Sequence, residues 1–245
     1  MNSMALSIKN LTGSINHHTI EQEINLDLYQ GQVLAITNES LGACLFRLIL
    51  GMGDIGRDSS VEIPHANLHL LHHNEVLQKW RPYFGFASRE KGLLSNLTIL
   101  DNVCLPASYH SAANPVENAK KFLAELEVDQ QFLSMRPDFV DESIRKRTLL
   151  ARALMLNPSV LLLESPATFL NWELQDILER WIEARLAQKV SLIFTSPSAA
   201  IITRFANFVL DEKTGILQDD IASYLKQRMH YQDKNTLTPQ GDCPK

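Results

Sequence analysis

The period of the apolar positions changes repeatedly along the chain, and each change marks an element. Leu6-Ser7-Ile8-Lys9 alternates and predicts a strand. Ile24, Leu26 and Leu28 alternate with Asn25 and Asp27 and predict a second strand with one buried face. A turn at Gln30-Gly31 leads into Val33-Leu34-Ala35-Ile36, an unbroken apolar run that suits a central strand buried on both faces. Thr37 to Leu41 reads as a loop. Gly42 then opens a helix through Phe46, Leu48, Ile49 and Leu50, closed by Gly51. Residues Gly53 to Arg81 are polar and irregular, with short strand-like pieces at Val61–Ile63 and Leu68–Leu71. Tyr83 to Ala87 predicts another strand. Thr98 is placed to cap the next helix, with Asp101 as its capping-box acid. Asn114-Pro115 followed by Glu117 opens a further helix that runs to about Val128, with Ala119, Phe122, Leu123 and Leu126 inward.

The most strongly patterned stretch runs from Arg136 to Asn171. Asp141-Glu142-Ser143 opens a helix with acids at its positive end. Ile144 to Leu156 continues it, with Leu149, Leu150, Ala153, Leu154 and Leu156 on the apolar side. Asn157-Pro158 stops it, because a proline forces its predecessor out of the helical region. Val160 to Leu163 follows as four aliphatics, then Glu164-Ser165-Pro166. Glu173 to Ala187 is amphipathic and predicts a helix, capped by Asn171 or Asn171-Trp172. Val190 to Thr195 reads as another buried strand. Phe208–Leu210 and Ile216-Leu217 read as a hairpin about Glu212-Lys213-Thr214-Gly215. Asp219 to Arg228 predicts a last short helix, and the polar segment from His230 to Lys245 reads as a disordered tail. Helices alternating with doubly buried strands imply an α/β fold around a parallel sheet.

A chain of 245 residues, 45% hydrophobic and 21% charged, is long enough for one large globular domain with a subdomain. Its net charge of −5 gives no electrostatic reason to expect nucleic acid as a partner. Cys44, Cys104 and Cys243 are scattered, so a disulfide framework is not expected and a reducing compartment is. The first residues lack a basic-then-apolar leader, and no apolar run reaches the roughly 18 residues that span a bilayer. Any membrane role would therefore run through a partner. His65, His69, His72 and His73 cluster in the irregular segment. A Zn²⁺ site is the sharp reading of that cluster and a solvated hairpin the plain one.

Strand, loop and helix meeting at Gly42 is the geometry of a phosphate-binding loop. Such a loop needs glycines for its backbone to cradle phosphate, a lysine for charge and a hydroxyl for Mg²⁺. The slots here read Thr37-Asn38-Glu39-Ser40-Leu41-Gly42-Ala43-Cys44, with Ala43 in the lysine position and Cys44 in the hydroxyl position. Glu39 is expected to satisfy the N–H groups at the helix start in place of a phosphate.

The run Ala151-Arg152-Ala153-Leu154, Asn157-Pro158, four aliphatics, acid-x-Pro and Leu170-Asn171 resembles the nucleotide-binding subunit of ABC transporters. In that family the helix follows the signature LSGGQ, and the strand ends in an Asp-Glu-Pro followed by a D-loop. The resemblance implies a P-loop NTPase-like ABC ATPase core with a parallel sheet, an antiparallel β subdomain and a small helical subdomain. It spans roughly Leu6 to Leu217, inside a domain of residues 1–228 with the helical part at about 97–156 and a tail at 229–245. The signature slot falls on Val140-Asp141-Glu142-Ser143-Ile144, the metal-binding acid on Glu164 and the catalytic glutamate on Ser165. The D-loop aspartate falls on Asn171, the Q-loop glutamine on Arg89 and the switch histidine on Ser196. The adenine-stacking slot falls on Ile15, with His17 and His18 nearby. A second match is GLLSNLTILDNV at Gly92 to Val103, which resembles the segment that receives the coupling helix of a membrane partner. With Leu105-Pro106 and Tyr109-His110 it is closest to cassettes of lipid-asymmetry (MCE/Mla-type) systems, and similar to lipoprotein-release and antibiotic-efflux ATPases.

The frame is kept while most of the chemistry it implies is replaced. ATP and Mg²⁺ are implied by the resemblance alone, and neither is expected to bind well; Glu164 is the one weak Mg²⁺ candidate. The expected function is a non-catalytic cassette, a pseudo-ATPase, on the inner, cytoplasmic face of a membrane. Its expected partners are an integral-membrane permease and a second nucleotide-binding subunit, either an active ATPase or another copy. An atypical but active ATPase is the first alternative. A soluble interaction or metal-sensing protein that reuses the fold is the second.

Overall fold

The computed structural model describes residues 3–15, 17–88, 92–166 and 172–226, with the backbone alone for 172–175. Two sheets carry the fold. Strands β1 (Met4–Ile15) and β2 (His18–Tyr29) pair antiparallel, with Leu6 opposite Leu28 and Ile8 opposite Leu26. Strand β3 (Val33–Ile36) and helix α1 (Glu39–Ile49) follow. Then β4 (Asp54–Ile55) and β5 (Ser60–Ile63) return to pair with β1, and β6 (Ala66–Asn67) pairs with β5. The antiparallel sheet runs β2-β1-β5-β6 with β4 also on β1.

The second sheet is parallel at its centre. A one-turn helix α2 (His73–Glu75) and short helical turns lead to β7 (Phe84–Ala87). Helices α3 (Ile99–Tyr109), α4 (Pro115–Glu125) and α5 (Glu142–Ala153) come next, then β8 (Val160–Leu163) and α6 (Trp172–Ala187). Strand β9 (Ser191–Thr195), helix α7 (Ala199–Phe205), β10 (Phe208–Leu210) and β11 (Leu217–Gln218) complete the named elements, and residues 221–226 are helical. The strand order is β11-β10-β3-β9-β8-β7, parallel from β10 to β7 with β11 antiparallel at the edge. The α/β class, the parallel sheet and the antiparallel β layer are as the sequence leads one to expect.

The doubly buried runs fall where the pattern puts them. Val33–Ile36 and Val160–Leu163 are each 0–1% exposed, because β3 and β8 have hydrogen-bonded neighbours on both sides and apolar layers on both faces. One layer packs α1 and the antiparallel sheet, including Leu6, Leu28, Leu45, Phe46 and Trp80. The other packs α3, α4, α5 and α6, including Val103, Phe122, Leu150, Trp181 and Ile182.

Several boundaries differ from the sequence expectation, each for a local reason. Leu68–Leu71 is not a strand. Leu68 to Leu70 forms a 3₁₀ turn, because the Asn67 side chain accepts from the His69 N–H and only Leu68 turns inward. Asn114 does not cap α4 with its side chain; it sits in the left-handed region at φ 51°. The helix α4 stops at Glu125, three residues short of Val128, as Glu127 turns left-handed at φ 53°. Thr98 does cap α3 through Asp101 N–H, but the Asp101 carboxylate accepts from the Thr98 hydroxyl and so departs from the capping-box pattern. Helix α7 has no counterpart in the sequence expectation. The region after residue 226 lies outside the described residues.

The segment before α3 hangs on one buried amide. Asn102 is fully buried, accepts from Leu94 N–H, and donates to the carbonyls of Leu94, Leu97 and Thr98. Replacing it by Ala leaves those loop groups without their partner. Asn102→Ala should cost about 2–3 kcal/mol, lowering the melting temperature by roughly 4–12 °C. Limited proteolysis should cut first within residues 92–98, and cleavage elsewhere first would refute the role assigned to this side chain.

Candidate functional site

The carboxyl ends of β3, β8 and β9 open onto one pocket, as expected for a parallel sheet whose ligand sites lie beyond the carboxyl edge. Its volume is about 400 Å³. Ile15, His17 and His18 come from the β1–β2 turn, Glu39, Ser40, Ala43, Cys44 and Arg47 from α1, Glu164 and Ser165 from the end of β8, and Thr195 from the end of β9. The structure thus gathers the adenine, phosphate-loop, metal and catalytic slots into one cavity.

The phosphate-loop slot is closed by its own chain. Helix α1 begins at Glu39 and not at Gly42, so only Thr37 and Asn38 separate it from β3. Asn38 is the cap: its Oδ1 accepts from Leu41 N–H at 3.0 Å, and its carbonyl accepts from Gly42 N–H at 3.0 Å. Glu39 therefore is not the cap expected from sequence. It stands at the first helical position, where the dipole favours an acid, and its carboxylate accepts from the Ser165 hydroxyl. Gly42 is kept by packing. A Cβ there would lie 2.0 Å from Cγ2 of Thr195.

Ser165 sits in the left-handed region at φ 47° and is 2% exposed. Its N–H donates to Thr195 Oγ1 at 2.7 Å, and the two hydroxyls are 3.2 Å apart. Glu39, Ser165 and Thr195 form a chain of contacts that ties α1, β8 and β9 together at the pocket floor.

Glu164 is 4% exposed, and both its oxygens have partners. Arg47 Nη1 donates to Oε1 at 2.8 Å, and Ser88 Oγ donates to Oε2 at 2.8 Å. The same Arg47 nitrogen donates to the Ala43 carbonyl at 2.6 Å. A guanidinium therefore stands beside the acid slotted for a metal. Cys44, in the hydroxyl slot, has its thiol pushed up by burial, with Arg47 pulling weakly the other way. A thiol held in its neutral form is a poor metal ligand.

The other described slots do not line the pocket. Ser196 is fully buried, and its hydroxyl accepts from Ser198 N–H at 3.1 Å in a local turn, away from the pocket lining. Asp141 caps α5, its carboxylate accepting from Ile144 N–H at 2.8 Å. Glu142 pairs with Lys146 one turn on at 2.8 Å, and that partner pulls its carboxyl below the usual range. Val140 and Ile144 are buried, and the Ser143 hydroxyl is buried without a hydrogen-bond partner. Arg89 and Asn171 lie outside the described residues. The histidines do not converge. His65 lies in the β5–β6 turn, His69 in the 3₁₀ turn, and His72 and His73 at the start of α2. Among the described residues no group of three or more His, Cys, Asp or Glu side chains is placed to hold a metal, so the zinc reading falls.

Arg47, Ser88 and Thr195 escaped the sequence reading. The one available signal was Arg47, a lone cation inside the apolar run Leu45-Phe46-Arg47-Leu48-Ile49, which a buried acid elsewhere must answer.

No protein-family model matches the chain. The macrolide export ATP-binding/permease protein MacB of Haemophilus ducreyi is 28% identical over 223 residues, covering 89% of this chain and 32% of that protein. The sulfate/thiosulfate import ATP-binding protein CysA of Pseudomonas aeruginosa is 28% identical over 200 residues, covering 77% and 57%. The chain thus spans about a third of the first relative's length. The dimeric, post-hydrolysis ATP-binding cassette MJ0796 bound to ADP and Pi superposes with a TM-score of 0.72 at 19% identity, over 84% of this chain and 93% of that one. Clostridium perfringens cbiO1, part of the ABC transporter complex cbiONQ, superposes with a TM-score of 0.72 at 17% identity, over 97% and 96%. No helix of the described residues is long and apolar enough to cross a membrane.

The Gly42 contact separates packing from phosphate binding. Gly42→Ala should cost about 1–3 kcal/mol through the clash with the Thr195 methyl. Thr195→Ser removes that methyl and keeps the hydroxyl, so the double variant should recover most of the loss in thermal denaturation. Absence of recovery would mean the glycine is needed for something other than this approach.

Proposed function

We propose that this chain, an ATP-binding cassette by fold and by sequence similarity, is a non-catalytic cassette subunit of a transporter. It docks on an integral-membrane permease, pairs with a second nucleotide-binding subunit and does not turn over ATP. The observation that carries this reading is the Arg47–Glu164 ion pair. Phosphoryl transfer on this fold needs a metal beside the strand-end acid, a cation on the phosphates and a group to place the attacking water. Glu164 has given its oxygens to Arg47 and Ser88, so Mg²⁺ would have to displace a buried guanidinium. The lysine slot is Ala43 and the catalytic slot is Ser165, whose hydroxyl is bonded to Glu39. The residues present do not fit a Mg-nucleotide.

The docking part rests on residues 92–103 and their neighbours. Leu94 is 47% exposed above the amide of Asn102, and Phe139 is 75% exposed on the segment that begins at Leu133. Backbone bonds from Ile99 to Met135 and from Leu100 to Leu133 hold the two segments together. In this reading residues 97–156 act as the helical part of one domain of residues 1–228, on the cytoplasmic face of the membrane. We take the cargo to be a lipid, on the resemblance of Gly92 to Val103 to lipid-asymmetry cassettes; the relatives named above handle macrolides and sulfate or thiosulfate.

Equilibrium dialysis of the full chain against Mg-ATP should give no saturable binding below about 1 mM, a level worth only about 4 kcal/mol. Phosphate release should stay at background. Micromolar binding with turnover abolished by Glu164→Gln would sink the proposal in favour of an atypical ATPase.

The ion pair can be weighed separately. Glu164→Leu and Arg47→Met alone should each destabilise by about 3–5 kcal/mol, since each strands a buried charge. The double variant should be far milder than the sum, read as a coupling energy in urea denaturation. Additive losses would show that the two charges do not depend on each other.

A further inference from the structure

A second cavity, of about 460 Å³, lies at the opposite edge of the parallel sheet. It opens beside Gln30, Ser159 and Val190, which immediately precede the amino ends of β3, β8 and β9 or the turns that feed them. It shares no lining residue with the Glu164 pocket. One wall is a face of α4, with Asn118, Lys121 and Glu125; the other is the end of α6 and the turn after it, with Arg185, Gln188 and Lys189.

Arg185 sets the chemistry of this cavity. Its side chain is 7% exposed, and its Nη2 donates to Glu125 Oε2 at 2.8 Å. Its Nε is buried with no partner. One helical turn earlier, Trp181 Nε1 is also buried with no partner, and the Arg185 guanidinium carbon lies 6.0 Å from the Trp181 ring. Buried donors in a folded protein are matched by acceptors, so the unpartnered Nε of Arg185, a residue that lines the cavity, points to a missing acceptor there. A guanidinium edge matches the oxygens of a carboxylate or a phosphate. Lys121 and Lys189, both exposed at the rim, bring the lining to three cations against the single carboxylate of Glu125. This concentration of positive charge stands out on a chain of net charge −5.

We propose that this cavity binds a small oxoanion, a carboxylate or phosphate group, anchored by the buried Arg185 and closed over by Lys121 and Lys189. The ligand would bridge α4 to the end of α6, two elements otherwise joined here by the Arg185–Glu125 pair. Occupancy would therefore tighten the packing of the α3–α5 layer against the sheet. The proposal is independent of nucleotide binding at the other edge and survives or fails separately from it.

The test is calorimetric titration of the full chain with inorganic phosphate and, in a second arm, citrate, at fixed ionic strength. At least one should bind saturably at one site per chain; which one does tells phosphate from carboxylate. The Lys121→Ala/Lys189→Ala variant alters only exposed side chains, so its fold should be kept. It should weaken binding by at least about tenfold, the scale of one charge-assisted hydrogen bond. The NMR resonance of the Arg185 Nε–H, assigned by its loss in Arg185→Lys, should shift along the same isotherm. No saturable binding of either anion, binding unchanged in the double-lysine variant, or an unmoved Arg185 Nε–H would each overturn the proposal.

Discussion

A carboxylate at the end of a strand buried on both faces needs an answering charge. Glu164 finds that charge in Arg47, and much of the carboxyl edge follows from the match. The pair fixes the face that α1 turns to β8. With α1 so placed, Glu39 reaches Ser165, Ser165 reaches Thr195, and Thr195 leaves room at its methyl for a glycine alone at position 42. Ser165 takes a left-handed backbone to make these contacts, a conformation that a non-glycine residue keeps only when its surroundings hold it there. The edge that serves as a ligand site in parallel sheets is here bonded largely to itself.

The sheet was legible in the sequence because four consecutive aliphatics between breakers are too short a run for a helix and suit a strand buried on both faces. Val33–Ile36 and Val160–Leu163 could hardly be read otherwise. Glu39, Ala43, Cys44, Glu164 and Ser165 were legible as one group through the frame, and all five line one pocket. Their partners were not. Arg47 lies one turn beyond the phosphate-loop slots and pairs with a residue 117 positions away, a distance no local pattern carries. The start of α1 was misplaced because the glycine-rich frame suggests a loop through Leu41, whereas Asn38 offers a cap that starts the helix at once. Helix α7 was missed because Ala199 to Phe205 is short and buries only Ile202 fully, too little for a period to show.

The two chemical ends of the long motif have changed in the same sense. At the signature slot the first turn of α5 would be free to receive an anion from a facing subunit, were it uncapped. Asp141 instead fills that N-terminus with its own carboxylate, and Glu142 turns to Lys146. Two acids facing a nucleotide would repel it, yet here one is folded back onto the helix and the other neutralised along it. In the proposed pairing, a neighbouring cassette would meet a helix end that is electrostatically quiet, neither a phosphate ligand nor a strong repulsion.

This pattern bears on how a site of the proposed kind would come to be inactive. A site that merely lost its catalytic groups would keep a buried acid without its metal and helix N–H groups without their phosphate, each at a cost in stability. Among the described residues no side chain lining the pocket has a buried polar atom without a hydrogen-bond partner. The acid has a guanidinium and a hydroxyl, the helix has Asn38, the lysine and hydroxyl slots hold the small or apolar Ala43 and Cys44, and the catalytic slot is bonded on both sides. Arg47 and Ser88 satisfy the acid that a metal would otherwise meet, and Asn38 satisfies one of the helix N–H groups that a phosphate would otherwise meet. In the proposed reading a metal at Glu164 would compete with the Arg47 and Ser88 contacts, which also hold α1 and β8 together. A domain built in this way would hold its shape without ligand, which under the proposed function suits a subunit whose contribution is a surface for its neighbours and not a turnover.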